Sequence, residues 1–570
     1  MKGLGLLVGA VLALAGCDSG EAEKSTDTTT GGASTLEAHS RLFERQVISP
    51  AAGIHVAVGY GLANSIMIEG DDGVIIVDSL ESRTRAQAAL VAFREITKKP
   101  VKAIVLTHNH PDHIYGSQVF AQRREVPVYA HRTTNAHINR IVNVLADVLY
   151  RRGMRMFGQL LPAGGVINAG IGPDLGFETQ DMALRRPTHV FDDKLEIEVA
   201  GVRFELIHAP GETDDQIMVW LPERKILLPA DNIYQTFPNL YTIRGTAHRD
   251  VMTWVESLDR MRALGPEVLV PAHTRPLVGG DKVAEVLTAY RDAIQFVHDQ
   301  TVRGINGGLG PDQIVAAVRL PRHLAEHPWL AEHYGTVAWS VRAVYGGYLG
   351  WFDGDATTLE PLPPEERSRR LMAVFAAGRP LPDQARAALA AGKLQWAAEL
   401  ARHWLRAQPE AAEARELLAR ALRAKARDHG NPNARHWYLT QARELAGDLV
   451  IERPDPSALP DGMLDSLPID GFLAGMTTRL KAEEALETDT RVRFDFADVG
   501  RSFTIHVRRG VAELREGGAG PTDIRIATTA ATWKRIVTKK RNPALAYAAD
   551  EIDIDGGPVA VVKFLALFER

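Results

Sequence analysis

Cysteine is nearly absent from this chain, because only Cys17 occurs among its 570 residues. A single cysteine excludes an intramolecular disulfide, a Cys-rich metal site and a CxxC redox motif. Any metal must therefore be held by histidine and carboxylate ligands. A large excess of one charge is lacking too. The chain has 66 Lys and Arg and 71 Asp and Glu, which gives a net charge of −5. This balance argues against binding through bulk charge, and we expect no nucleic-acid partner.

Long apolar runs are also missing where they would be expected in a membrane-spanning protein. The apolar stretch 4–14 is shorter than the ~20 residues that a spanning helix needs. With 45% hydrophobic and 24% charged residues, the composition is that of an ordinary folded protein. The chain is too long for one hydrophobic core, so we expect two to four domains of about 100 to 200 residues each.

The N-terminus has the order of an export signal: a lysine, the apolar stretch 4–14 and then small residues. The order Leu14-Ala15-Gly16-Cys17 resembles the bacterial lipobox. This resemblance implies that residues 1–17 are a lipoprotein signal, that Cys17 is lipidated, and that the only membrane contact is this anchor on the periplasmic side of a bacterial envelope. Residues 18–40 have the composition of a flexible tether. An ordinary signal peptide and a signal anchor with a free thiol are the alternatives.

Residues 41–281 have the pattern of a layered α/β domain. Amphipathic helices are predicted at Thr84–Ile96 and Val251–Leu264, and the segment 137–188 is an insertion that serves either as a lid or as a structural elaboration. The predicted strands are Ile66–Glu69, Gly73–Asp78, Val101–Leu106, Leu195–Val199, Arg203–His208, Ile217–Leu221, Lys225–Pro229 and Val268–Val270.

The rest of the chain predicts two further domains. Residues 282–445 are helical in pattern, and within them Ala388–Asp428 resembles a tetratricopeptide-type helix pair, which favours interaction or dimerisation. A linker at 446–460 leads to residues 461–570, where alternating strands precede helices and predict an α+β domain.

Histidines and an aspartate are concentrated directly after the predicted strand Val101–Leu106, in the order H-x-H-x-D-H. Alternate residues leaving a strand point the same way, so His108 and His110 can converge on one metal while Asp112 and His113 turn toward a second. Imidazole and carboxylate suit Zn(II), although the ligand types leave Fe and Mn open.

This motif is identified as that of the metallo-β-lactamase superfamily, a resemblance that covers about residues 45–280. The resemblance implies three later ligands. They are Glu212 in His-Ala-Pro-Gly-Glu-Thr, Asp231 in Leu-Pro-Ala-Asp-Asn and His273 in Pro-Ala-His-Thr. It also implies that Asp78 orients a ligand from behind. Asp215 and Gln216 lie close to Glu212 and remain alternatives to it.

Glutamate in place of the usual third histidine resembles the alkylsulfatase branch of that superfamily. The resemblance implies a multidomain chain with an αβ/βα metallo-β-lactamase sandwich, then an all-α helical dimerisation domain, then an α+β domain similar to sterol carrier protein, and it implies a homodimer. The stretch 238–245, Pro-Asn-Leu-Tyr-Thr-Ile-Arg-Gly, resembles the sulfate-binding stretch of the branch, with Arg244 as its arginine.

A charge count supports an anion-binding arginine. The three carboxylates of Asp112, Glu212 and Asp231, together with one hydroxide, neutralise two divalent metals, and a neutral centre attracts a sulfate ester weakly. Arg244 restores positive charge and offers a planar fork to two sulfate oxygens. We therefore predict Asp112 and Arg244 as catalytic residues, and Arg244, Asn239 and Thr242 as substrate-binding residues.

The resulting hypothesis is a hydrolase with two Zn(II) ions that cleaves alkyl sulfate esters to an alcohol and inorganic sulfate with metal-activated water. The first alternative is an acyl hydrolase of the same superfamily, acting on lactones, thioesters or lactams. The second is a non-catalytic envelope lipoprotein that binds lipid with its C-terminal domain.

Overall fold

A computed structural model describes residues 32–176, 178–452, 455–518 and 520–569. The predicted signal segment and Cys17 lie outside the described residues. Within the described ranges, every helix is too short or too polar to span a bilayer.

The first sheet has seven strands that lie side by side in chain order. The first three pairs of neighbouring strands are antiparallel, and the last three pairs are parallel, so the fourth strand has one neighbour of each kind. The strands are Gln46–Ala51, Ile54–Val58, Ser65–Glu69, Val74–Val77, Val101–Val105, Val128–His131 and His189–Phe191.

The insertion lies between the last two strands of this sheet. Val128–His131 and His189–Phe191 are parallel neighbours, and parallel neighbours need a long crossover connection. Helices Thr134–Asn139 and Ala146–Phe157 lie within that connection. We call Ala146–Phe157 the insertion helix. The insertion is therefore a crossover connection as well as an elaboration.

The second sheet has six strands, and only Ile226–Leu228 and Val268–Leu269 pair in parallel. Its strands in chain order are Lys194–Val199, Val202–His208, Ile217–Leu221, Ile226–Leu228, Val268–Leu269 and Leu277–Val278.

The two sheets pack face to face because their strands are apolar on both sides. In strand Val74–Val77, Ile75 and Val77 face the second sheet, whereas Val74 and Ile76 face the helix Arg83–Ile96 on the outside. The strand Ile217–Leu221 divides its side chains in the same way. The result is a sandwich with a helical layer on each outer face.

Helices Val251–Leu264 and Gly280–Asn306 cover the outer face of the second sheet. The buried side chains of Gly280–Asn306 share one apolar core with Trp220, Leu227 and Leu269 of that sheet, and helix Val337–Leu349 belongs to the same core. The helical region predicted from residue 282 thus begins as the outer layer of the sandwich. The smaller helices of the sandwich and its surroundings are Gly32–His39, Pro111–Ile114, Ser117–Phe120, Pro311–Ala317 and Arg322–Ala325.

A second helical core lies farther along the chain and is built from alanine and leucine. Its last helix, Pro432–Ala446, also packs on the insertion helix. The helices of this region are Pro364–Ala376, Leu381–Ala390, Leu394–Ala407, Ala412–Arg427 and Pro432–Ala446.

The C-terminal region forms a five-stranded sheet with helices on one apolar face. Its strands are Asp489–Phe496, Arg501–Arg508, Val511–Glu516, Ile524–Thr528 and Asp553–Asp555. Its helices are Asp461–Ser466, Ile469–Thr477, Ala530–Val537, Pro543–Ala548 and Pro558–Ala566.

Candidate metal centre

The predicted metal ligands lie on loops at one edge of the sandwich, where strands of both sheets end. His108 to His113 follow strand Val101–Val105, Asp231 follows Ile226–Leu228, and His273 follows Val268–Leu269. Strand Val202–His208 leads to Glu212. The fold therefore gathers side chains that are far apart in the chain around one buried point.

Six of these residues form two groups that can each hold an ion. In each group the ligand atoms all lie within 4.8 Å of one another. The groups are His108, His110 and Asp231, and Asp112, His113 and His273. His108 and His110 share one group, as strand alternation predicts, whereas Asp112 and His113 share the other as consecutive residues of helix Pro111–Ile114.

Asp231 lies between the two groups. Its Oδ2 is 3.2 Å from His273 Nε2, 3.4 Å from His113 Nε2 and 3.6 Å from His108 Nε2. Ligand atoms placed about 2.0–2.1 Å from one ion at tetrahedral corners are about 3.4 Å apart. The Asp231 carboxylate would therefore be within reach of an ion held by either group.

The second group has the same spacing. Asp112 Oδ2 lies 3.4 Å from His113 Nε2 and 3.5 Å from His273 Nε2. His113 Nε2 and Asp231 Oδ1 are buried, and neither has a hydrogen-bond partner among the described residues. Orphaned buried polar atoms of this kind are expected where a cation is the missing partner.

The protonation states of the first group also fit a cation. Burial, and then the charge of His113, lowers the pKa of His108 to about 3, and burial holds the pKa of His110 well below its usual range. Both rings are therefore neutral, which is the form that binds metal. Burial alone would raise the pKa of Asp231, but His113, His273 and His108 outweigh it and hold that pKa well below the ordinary value.

Asp78 contacts one ligand of this cluster, His113, on the ring nitrogen that faces away from the other ligands, as the family resemblance implies. Its Oδ2 lies 2.7 Å from His113 Nδ1, and its two oxygens accept hydrogen bonds from the amide and the hydroxyl of Thr107. Asp78 adopts a left-handed backbone at φ 58°, as do Ala230 and Thr274, which flank Asp231 and His273. Strained backbone of this kind is concentrated at functional sites.

We expect Asp78→Asn to weaken zinc binding by about 10- to 100-fold, because the amide no longer supplies the anionic acceptor that fixes the His113 ring. Zinc titration of the apoprotein measures this change. Asp72→Asn is the matched control, since Asp72 is exposed and pairs with Lys102 at 3.0 Å instead of with a histidine of the cluster. Equal zinc affinity in the two variants would show that Asp78 does not orient a ligand.

Glu212 borders the first group without belonging to it. Its Oε1 lies 3.8 Å from His110 Nδ1, and its Oε2 accepts a hydrogen bond of 3.3 Å from the Tyr234 hydroxyl. Asp215 instead accepts a hydrogen bond of 2.6 Å from Asn109, and the Gln216 amide atoms are buried without a partner among the residues described. Of the three alternatives, Glu212 is the one that contacts a histidine of the motif.

Arg249 is a site residue that the sequence does not indicate. It is 4% exposed, its Nη2 lies 3.1 Å from Glu212 Oε1, and its Nη1 donates to the Asn239 carbonyl. It is a lone arginine before a helix, with no local pattern, and its partners are a distant carboxylate and a backbone oxygen. It adds a buried positive charge to the first group.

The predicted substrate-binding residues lie in different settings, and of the three Arg244 contacts the first group. Arg244 Nη2 is 3.2 Å from His110 Nε2, so the guanidinium reaches the edge of the cluster. The Asn239 side chain is fully buried, and neither of its amide atoms has a partner in the described part of the chain. The Thr242 hydroxyl donates to the sulfur of Met156 at 3.2 Å.

Comparison with known families gives three matches in chain order. Residues 58–273 match the metallo-beta-lactamase superfamily, residues 310–448 match the alkyl sulfatase dimerisation family, and residues 457–570 match the alkyl sulfatase C-terminal family. The predicted order of sandwich, helical dimerisation domain and C-terminal domain is confirmed.

Relatives match over nearly the whole chain. A linear primary-alkylsulfatase from Pseudomonas sp. (strain ATCC 19151) is 38% identical, covering 88% of this chain and 98% of that protein. An (R)-specific secondary-alkylsulfatase from Pseudomonas sp. is 29% identical over 90% of this chain and 79% of its own. The solved structure of a stereoselective inverting secondary alkylsulfatase from Pseudomonas sp. superposes with a TM-score of 0.86 at 27% identity, covering 92% of this chain and 85% of that one.

Proposed function

Because this chain belongs to the alkylsulfatase family of metallo-β-lactamase-fold hydrolases, we propose that it hydrolyses alkyl sulfate esters to an alcohol and inorganic sulfate on a centre of two zinc ions. The observation that carries this proposal is the position of Arg244, whose Nη2 lies 3.2 Å from His110 Nε2 at the edge of a carboxylate-rich ligand cluster. The family supplies the reaction class, and the guanidinium supplies a site for the sulfate group.

His108, His110, Asp112, His113, Asp231 and His273 would hold the two ions, with Glu212 as a further ligand of the first. Zinc bound there would act as a Lewis acid and lower the pKa of a bound water toward ~7. Burial keeps His108 and His110 neutral, and the neighbouring histidines hold the pKa of Asp231 well below its ordinary value, so the first group is in the form that binds metal. Asp78 and the Leu62 carbonyl, 2.9 Å from His273 Nδ1, fix the ring orientations.

Arg244 and Asn239 would bind the ester's sulfate oxygens. The planar fork of Arg244 can bind two of them, and the unpartnered Asn239 amide can donate to a third. Arg249 reinforces this role through charge, because it offsets the Glu212 carboxylate at 3.1 Å. Thr242 remains a predicted contact that would first have to release Met156.

We also propose a homodimer that assembles through the region matching the dimerisation family, residues 310–448. We further propose that lipidation of Cys17 anchors the enzyme on the periplasmic face of a bacterial membrane. The order Leu-Ala-Gly-Cys at 14–17 supports this location. Radioactive palmitate labelling of the wild type, with Cys17→Ser as the unlabelled control, tests the anchor.

The proposed function is tested by inorganic sulfate release from dodecyl sulfate. We expect release with zinc, loss of release after chelation, and recovery when zinc is added back. Lactone and thioester substrates are assayed in parallel. Cleavage of those substrates without any sulfate release would instead establish the acyl hydrolase, and inertness toward all substrates would favour a binding protein.

A further inference from the structure

We propose that Arg152 is a positioning residue that fixes the loop carrying Arg244 and thereby sets the affinity of the enzyme for the sulfate group. This inference rests on the proposed role of Arg244. Arg152 lies on the insertion helix, far from the metal-binding motif in sequence, and its guanidinium donates to loop carbonyls and not to a metal ligand.

The contacts of Arg152 are with the backbone of that loop. Its Nε donates to the Arg244 carbonyl at 2.8 Å, and its Nη2 donates to the Ile243 carbonyl at 2.5 Å. One planar fork therefore binds two successive carbonyls, a geometry that a lysine ammonium cannot reproduce. The Arg244 side chain has one weak contact with its own loop, at 3.4 Å to the Gly245 carbonyl, so it depends on this backbone anchor.

A second contact joins the insertion helix and the loop that carries Arg244. The Thr242 hydroxyl donates to Met156 one turn farther along the insertion helix. Gly245 ends the anchored stretch with φ 104°, a conformation that L side chains rarely adopt. Its N–H donates to the Thr242 carbonyl at 2.9 Å and closes a turn, and the insertion helix holds the residues within that turn.

The insertion helix is itself held by helix Pro432–Ala446. The Trp437 ring lies under the Arg152 guanidinium at 5.3 Å, and Arg155 binds both oxygens of Glu444 at 2.6 and 2.9 Å. His436 Nδ1 lies 3.2 Å from the Met156 carbonyl. The helical region therefore supports the sulfate site through Arg152, in addition to any role in assembly.

Arg155 provides a matched control on the same helix. Its guanidinium lies 5.9 Å from the Trp437 ring and pairs with Glu444, so it shares the packing of Arg152. The Arg155 guanidinium donates to Glu444 and to the Arg151 carbonyl instead of to the loop at 243–245. A general loosening of the insertion helix should therefore affect both variants.

The experiment compares the wild type, Arg152→Lys and Arg155→Lys as full-length zinc-loaded enzymes. We expect Arg152→Lys to raise the KM for dodecyl sulfate about tenfold, with kcat within about twofold, because ground-state binding of the sulfate group is lost. Calorimetric affinity for inorganic sulfate should fall by a similar factor. Arg155→Lys should match the wild type in all three quantities.

Sulfate binding separates this inference from the proposed function. A wild type that binds sulfate but cleaves no sulfate ester would reject the proposed function alone. Equal sulfate affinity of Arg152→Lys and Arg155→Lys would reject the positioning role. A fall in the melting temperature and kcat of Arg152→Lys with unchanged sulfate affinity would reject it as well. Arg152→Gln, which keeps one amide donor, replaces the lysine variant if that variant melts early, and we expect the same rise in KM.

Discussion

Asp231→Asn is expected to lower the rate of sulfate release at least about 1,000-fold, equivalent to about 4 kcal/mol of transition-state stabilisation, with loss of bound metal. The reason is the central position of its Oδ2, which lies within 3.6 Å of Nε2 atoms from both ligand groups. An amide in the same place has no negative charge to share between two cations. Metal analysis of the purified variant and a sulfate-release assay measure the two effects.

Asp215→Asn is the control for this variant. Asp215 is as buried as Asp231 and also lies at the edge of the second sheet, but its Oδ1 binds the Asn109 amide. We expect Asp215→Asn to keep its metal and most of its activity. If Asp215→Asn lost its metal while Asp231→Asn kept a normal metal content, Asp215 and not Asp231 would be the metal ligand.

Local sequence predicted the part of the centre that one strand and its loop contain. Val101–Val105 is an apolar run with one side in each core, and His108, His110, Asp112 and His113 follow within a few residues. Ligand chemistry and close spacing therefore suffice to select these four as candidate ligands, and periodicity pairs His108 with His110, whereas Asp112 and His113 lie in helix Pro111–Ile114. Asp231 and His273 come from later strands, so only the family resemblance could place them beside the motif.

Other features were not predictable because their partners are remote or belong to the backbone. Arg249 pairs with Glu212, and Arg152 donates to two backbone carbonyls. The sequence around each arginine therefore has no motif that would reveal these partners. The amphipathic pattern of Gly280–Asn306 predicts a buried face but not the sheet that covers it. Strands Val128–His131 and His189–Phe191 are too short to show alternation.

Thr242 shows how a loop residue can be predicted by resemblance and yet face elsewhere. Its hydroxyl is directed at Met156 of the insertion helix, while Arg244 on the same loop contacts His110 and the Asn239 amide has no partner among the described residues. Side-chain direction along an irregular loop has no fixed period, unlike that of a strand. The loop therefore directs Arg244 toward the proposed sulfate site and Thr242 toward the insertion helix.

Arg244→Ala is expected to reduce kcat/KM for alkyl sulfates about 100-fold, mainly through KM, while the bound metal stays unchanged. A hydrogen bond to a charged group contributes about 1.5–3 kcal/mol, and the fork can make two to one sulfate group. Arg244→Lys keeps the charge and loses the second bond, so an intermediate loss of about tenfold is expected. Steady-state kinetics with dodecyl sulfate and metal analysis distinguish these effects.

Arg249→Lys is the comparison for Arg244→Ala, because the guanidiniums of Arg244 and Arg249 both border the first ligand group. Arg249 contacts Glu212 and the Asn239 backbone and not His110 Nε2, so its replacement should weaken metal retention before it weakens sulfate binding. Opposite patterns in the two variants would separate anion binding from support of the metal centre. If Arg244→Ala instead lost metal with an unchanged KM, Arg244 would be a structural partner of His110, and the sulfate group would need another cation to bind it.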